Sequence, residues 1–321
     1  METSRELGSN LPLERGKARE ETGREMGKSS LSPPKVFIND SFVSLARAKV
    51  SVFDRGFLYG DGLFETMRAY SGKVFRLEDH LDRLFRSARG IELSFDYTRE
   101  ELKNIIGKII EINSLSEAYI RLTVSRGVSE PGLISKSKGP PTLVIVARNF
   151  KPPSPSEYET GWKAIVVETR QNQSSPLSRL KSLNFLNNIL AKREAEAKRV
   201  DEGILLNTLG EVVEAATSNI FIVNKDTIIT PLEESGLLPG ITRGVVLELA
   251  PNLGFKVYEM RVTLSQLMRA KEAFLTNSLI EIMPLVEIDG RRIGNGKPGS
   301  ITEKIHRAYR ALVRKETRAE K

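Results

Sequence analysis

Apolar and polar positions alternate from Gly62 to Tyr70 as along a half-buried strand, and Ser71-Gly72 supplies a hairpin turn into Lys73–Leu77. The period then changes. Within Glu78–Arg89, Leu81, Leu84, Phe85 and Ala88 fall on one face of a helix that Gly90 stops. A second helix spans about residues 98–113, with Leu102, Ile105, Ile106, Ile109 and Ile110 turned inward. Strands are expected at 118–124 and 141–147, and two short ones around an Asn39-Asp40 turn at 35–43. Between them, Gly56, Gly60 and Gly62 mark either backbone brought close to a ligand or a plain loop between strands. The pattern to this point is an α+β layer.

Lys151-Pro-Pro-Ser-Pro-Ser156 cannot continue a regular element and divides the chain. The expected organisation is a polar, disordered extension at 1–34, a small domain at 35–150, a linker at 151–160 and a larger domain at 161–321. The second part opens on a strand at 162–168. A helix after Lys181 carries Leu186, Ile189 and Leu190 on one side and a Glu194–Lys198 pair on the other. A hairpin turns at 208–210, and a loop at 236–240 feeds a helix at 241–250. A strand at 272–286 is interrupted by Thr276-Asn277-Ser278, and Ser300-Ile-Thr-Glu303 reads as a capping box opening the last helix.

Composition narrows the chemistry. With 321 residues the chain can bury a large core, but it has no cysteine and two histidines, His80 and His306. Disulfides, thiolate metal sites and a cysteine nucleophile are excluded, and histidine-rich metal sites or a Ser-His-Asp mechanism are poorly supplied; no metal is expected. The net charge of +8 is spread among mixed signs, without a basic run interleaved with aromatics, so no nucleic-acid partner is expected. No apolar run reaches spanning length and the acidic residues near the start argue against a transit peptide, so the expected location is the cytoplasm, with no membrane partner.

Lys181, held among apolar neighbours ahead of a helix, could serve as an amine nucleophile toward an aldehyde cofactor, although most lysines beside helices are solvated surface charges. Glu214 follows two valines and precedes small residues, which marks a crowded carboxylate in need of a partner. The helix start at Pro239-Gly-Ile-Thr242 suits a phosphate, although many such starts bind nothing. Gly290–Lys297 has the wrong spacing for a phosphate loop, and Pro298 stands where one needs Ser or Thr.

Tyr59-Gly-Asp-Gly-Leu-Phe-Glu65, His80-Leu-Asp-Arg83, Arg179-Leu-Lys-Ser182, Glu214 with Asn219-Ile-Phe221, Pro239-Gly-Ile-Thr-Arg243 and Thr276-Asn-Ser278 occur in this order. Together they resemble the fold-type IV pyridoxal-phosphate enzymes, the class-IV aminotransferases, over about residues 35–315. The resemblance implies a two-domain α+β fold: a small N-terminal α/β sandwich and a larger, mixed, β-barrel-like C-terminal domain with helices. It implies pyridoxal 5'-phosphate on Lys181 as a Schiff base, with Lys181 also shuttling the proton. Glu214 is implied at the pyridine nitrogen, and Arg83, Ile241, Thr242 and Ser278 around the phosphate. A homodimer is implied too, in which Tyr59 could serve the neighbouring subunit's site.

The substrate positions implied are Tyr59, Phe64, Tyr119, Arg121 and Leu279, though Phe64, Tyr119 and Arg121 could equally be strand packing and ion pairing. Tyr119-Ile-Arg121, Tyr59 and Arg68 are similar to branched-chain aminotransferases, which implies transfer from a branched-chain L-amino acid to 2-oxoglutarate. Thr66, Phe185 and Asn277-Ser278-Leu279 depart from them and look more like the aminodeoxychorismate lyases, which release pyruvate and form 4-aminobenzoate. D-amino-acid aminotransferases rank third, because Pro131 and Leu133 replace the Arg and His they use.

Overall fold

The alternating segments of the first part pair into one antiparallel sheet. Its strands are β1 (Lys35–Ile38), β2 (Ser41–Ser44), β3 (Gly62–Tyr70), β4 (Lys73–Val74), β5 (Ala118–Ser125) and β6 (Thr142–Asn149), in the order β2-β1-β6-β5-β3-β4. The short helix α1 (Arg55–Tyr59) precedes β3, while α2 (Leu77–Gly90) and α3 (Arg99–Ile112) follow β4. Leu81, Leu84, Leu102, Ile106 and Ile109 from the two helices pack on Met67, Ile120, Leu122 and Ile145 of the sheet. Apolar residues at helical spacing meeting apolar residues at strand spacing make this two-layer arrangement. Thr98 and Glu101 form a reciprocal capping box that fixes where α3 begins. The computed structural model describes residues 34–134 and 139–318; apart from Pro34, the expected extension lies outside them.

After α4 (Pro155–Thr160) comes a second, ten-stranded sheet. It contains β7 (Trp162–Gln171), β8 (Glu202–Asn207), β9 (Glu211–Ala215), β10 (Asn219–Asn224), β11 (Thr227–Pro231), β12 (Lys256–Met260), β13 (Val262–Thr263), β14 (Glu272–Asn277), β15 (Glu281–Ile288) and β16 (Arg291–Arg292). Helices α5 (Leu186–Ala197), α6 (Ile241–Asn252), α7 (Leu264–Met268) and α8 (Ser300–Thr317) complete it. The strand order is β12-β11-β10-β14-β15-β7-β8-β9-β13, with β16 on β15. The strands at the two ends of that order, β12 and β13, are separated in sequence only by Arg261. The sheet must therefore curl until its edges meet, which makes it a nearly closed barrel. Residues of α6 and α8, Val245, Val246, Ile305 and Tyr309, close its flank against Phe221 and Phe274.

Contacts at both ends of β3 help tie the sheets together. Lys181 O accepts from Phe64 N at 2.8 Å and Leu183 N donates to Gly62 O at 2.9 Å, so the segment around Lys181 lies as an extra strand along the start of β3. At the other end of β3, buried Arg68 donates to Glu281 at 3.0 Å, and Glu281 also accepts from Tyr70, His306 and Arg310. Arg68 further donates to Leu279 O, which holds the β14–β15 turn. Neighbouring charges and these donors hold the Glu281 carboxyl at about 2 despite burial.

Four local expectations change. Residues 155–160 are helical, because Ser154 and Glu157 form a capping box and Pro155 sits at the first helical turn, where its missing N–H costs nothing. The last helix is capped by the Glu272 carboxylate, which accepts from Ile301 N, Thr302 N and Thr302 Oγ1, so Ser300 and Glu303 do not form the box. Glu194 accepts from Glu168 N, Thr169 N and Thr169 Oγ1 instead of pairing with Lys198. Residues 55–59, for which no regular element was expected, make one turn of helix capped by Asp54.

Replacing Glu281 by Leu strands the buried Arg68 guanidinium and should cost about 3 kcal/mol or more of unfolding free energy. Glu117→Gln, at the exposed end of the same arginine, should cost under about 1 kcal/mol. Denaturant midpoints of the two variants check this ordering.

Candidate active site

A cavity of about 540 Å3 opens where the Lys181 segment meets β3. Phe64, Tyr119 and Arg121 of the first sheet line it, as do Arg83, Lys181, Glu214, Ile241, Ser278 and Leu279. Nine of the expected residues thus converge from segments far apart in sequence. Two do not. Tyr59 is not among the lining residues of its own chain's cavity; its hydroxyl accepts from Gly132 N at 3.2 Å and its ring lies under the Arg55 guanidinium. Thr242 is buried outside the lining, next to Ile241, which is part of it.

Backbone pairing of Lys181 O and Leu183 N with β3 fixes the Lys181 segment, and Lys181 Nζ lies 4.4 Å from the Phe64 ring centre and 5.4 Å from that of Phe185. Those rings meet edge to face at 5.2 Å. Burial lowers the Lys181 amine from its ordinary range to about 8, helped by Arg83 and Arg121 and opposed by Glu65 and Glu214. An amine near that value is poised between acid and nucleophile.

Glu214 is displaced the other way. Burial raises its carboxyl to about 8, against the pull of the Leu238 amide, Lys181, Arg243 and Arg83. Asn219 Nδ2 and Leu238 N both donate to Oε2, each at 3.2 Å. The proton held near neutral pH therefore belongs on the other oxygen, Oε1.

The third group is a basic cup. Arg83 forks onto buried Glu65 (Nε to Oε1, 2.8 Å; Nη2 to Oε2, 2.6 Å) and donates from Nη1 to Pro239 O at 2.9 Å. Three of the five guanidinium N–H groups are thus used structurally, and two remain for an anion. Residues 241–243 begin α6, where amides lack intrahelical partners, and the N-cap Gly240 brings that end close. A Cβ on Gly240 would stand 2.0 Å from Asn219 Oδ1, so the approach demands glycine. Across the cup, Asn277 Oδ1 accepts from the Leu279 and Ile280 amides, which shapes the turn carrying Ser278.

Sequence reasoning missed Glu65, Arg170 and Ser218. Glu65 was part of a matched motif but had no role assigned; its signal was His80 and Arg83 at i and i+3 on a helix packed over β3. Arg170 lines the cavity with its guanidinium donating to the carbonyls of Val167 and Glu168. Nothing in its strand context distinguishes it from a surface arginine.

A family model described as Amino-transferase class IV matches residues 62–288. The chain belongs to the class IV aminotransferases. A protein of Methanocaldococcus jannaschii provisionally named branched-chain-amino-acid aminotransferase is 43% identical over 87% of this chain and 96% of its own. An aminodeoxychorismate lyase of Bacillus subtilis is 32% identical over 87% and 94%, and a D-alanine aminotransferase of Listeria monocytogenes is 34% identical over 86% and 94%. Among solved structures, a branched-chain aminotransferase from Thermoproteus uzoniensis with norvaline superposes with a TM-score of 0.81 at 36% identity, covering 88% of this chain and 95% of that one. The fold is that of the fold-type IV aminotransferases, and the enzyme depends on pyridoxal 5'-phosphate.

The cavity fits that cofactor. It presents an amine of lowered basicity, a protonated carboxyl, and a cup made of an arginine and a helix start. Two buried hydroxyls in its lining, Ser218 Oγ and Thr276 Oγ1, have no partner among the described residues. Orphaned buried hydroxyls beside a basic cup are what a polar ligand would satisfy.

Glu214→Gln gives the sign of the carboxyl's displacement. A carboxyl raised from 4.5 to about 8 binds its proton more tightly when folded, so folding stability falls as pH rises between those values. In cofactor-free protein, the stability advantage of Glu214→Gln should grow by up to about 1.4 kcal/mol per pH unit across that window and level off above it. Urea unfolding at several pH values measures the trend.

Proposed function

We propose that this chain transfers the amino group of branched-chain L-amino acids to 2-oxoglutarate, with the cofactor covalently tied to Lys181. When bound, the cofactor supplies the aldehyde that takes up the amino group and the ring that draws off the electron pair left at the substrate's Cα. The protein's own groups divide the remaining work. Lys181 Nζ, released by the incoming amine, moves the proton from Cα. Glu214 offers a proton at Oε1, where a ring nitrogen can share it. Arg83, the first amides of α6 at Ile241 and Thr242, and Ser278 hold the phosphate.

The observation that carries the substrate reading is Arg121. It stacks over Phe64 at 3.8 Å and makes no ion pair among the described residues, although it faces the cavity. A free cation beside Phe64, Phe185 and Leu279 gives an apolar side chain a wall and a second carboxylate a partner. Leucine needs the first and 2-oxoglutarate the second. Tyr119 lies at the same wall.

A homodimer completes the reading. Phe57 and Leu58 on α1 and Leu186, Ile189 and Leu190 on α5 are exposed, and Asn184 Nδ2 bonds Gly60 O between the two helices. An apolar surface of this kind suits burial against a second copy, where Tyr59 could reach the other subunit's cavity. Cytoplasmic location belongs to the same proposal; among the described residues, no helix is long and apolar enough to cross a membrane.

The lyase reading keeps specific support from Phe185, Thr66 and Leu279, all at the cavity wall. The deciding assay follows 2-oxoglutarate-dependent transamination of Leu, Ile and Val beside pyruvate release from aminodeoxychorismate. Transamination without pyruvate release is expected; the reverse outcome would install the lyase. Arg121→Met should raise KM for 2-oxoglutarate by about tenfold or more, the loss of one charged hydrogen bond, while moving KM for leucine much less.

A further inference from the structure

Buried hydrogen bonds run from the cup's ion pair to its far wall. Glu65 Oε2 lies 2.8 Å from His80 Nδ1, and His80 Nε2 lies 3.3 Å from Ser278 Oγ. Arg83 keeps Glu65 ionised, its carboxyl held at about 2, so Nδ1 carries the hydrogen and donates to it. In a neutral ring Nε2 is then a lone pair, and the Ser278 hydroxyl must donate to it. Ser278 turns only lone pairs toward the cavity in that state, the wrong polarity for an anion.

We propose that His80 is a positioning residue that takes up a proton from solvent when a phosphate group enters the cup, so that His80 donates to Ser278 and Ser278 donates to the phosphate. The charged groups facing His80 are Glu65 on β3, Arg83 one turn along α2, and Lys181 from the segment beside β3, with Ser278 on the β14–β15 turn. Burial, Arg83 and Lys181 lower the basicity of the His80 imidazole against the pull of Glu65. A dianion offsets both cations and reverses the balance. The inference rests on the reading of Arg83, Ile241 and Ser278 as the phosphate cup.

The chain's two histidines make the test direct. Cofactor-free full-length protein labelled with 15N at His and Ile is titrated with pyridoxine 5'-phosphate, which has no aldehyde to react with Lys181. At about pH 7 its phosphate is mainly a dianion. His306→Gln assigns the remaining ring signals to His80, and Ile241→Val assigns the amide at the start of α6. The expected result is that Nε2 of His80 shifts from a lone-pair to an N–H nitrogen on saturation, and stays unshifted with pyridoxine, which lacks the phosphate. A shifted Ile241 amide with an unchanged neutral His80 overturns the proposal and leaves the cup standing. An Ile241 amide that never moves overturns the cup itself, and the proposal with it.

Discussion

The cavity depends on one buried ion pair. Glu65 and Arg83, both almost fully buried, face each other from β3 and α2, and the same guanidinium reaches Pro239 O just ahead of α6. Burying two charges is costly, and such pairs are a weak source of stability. What this pair supplies is position. It fixes a cation with two spare N–H groups at the place where a helix start and the Ser278 turn converge, and it ties the first sheet to the second part of the chain.

Around that point the charges sort by environment. Arg83 and Arg121 are cations and Lys181 is mostly one at neutral pH, while Glu214 keeps its proton, so Glu65 is the only ionised carboxylate named there. A site with that excess favours an anionic ligand before any single hydrogen bond is counted. The opposite displacements of Lys181 and Glu214 come from one cause, since burial disfavours whichever form is charged. In a water-filled cleft neither group would be suited to nucleophilic or proton-sharing work.

Much of this was legible because fold-type IV chemistry requires a lysine, a carboxylate and a cup in fixed order, and each sits in a short segment with its own local signal. The strands of the first sheet and the inward faces of α2 and α3 followed from periodicity, whereas β11, β12, β13 and β16 of the second sheet did not. What escaped was decided by distant partners. Ser300 reads as a cap, yet Glu272 on β14 does the capping, and a Cβ on Gly299 would collide with that carboxylate. Glu65 reads as one more strand residue until His80 and Arg83 are laid over it. The apolar side of α5 gives no sign in sequence that it stays exposed, because Ala191 and Ala195 supply the packing against the barrel. Tyr59 matched a motif, but its place outside the cavity depends on the loop at Gly132.

The proposed chemistry stands on Lys181 as the residue that carries the cofactor. Sodium borohydride applied to the protein purified with its cofactor fixes that group to the amine holding it, and mass mapping of the peptides then locates it. The expected result is a single labelled peptide with the added mass on Lys181. A label on any other lysine, or a coloured protein that yields none, would contradict the arrangement described.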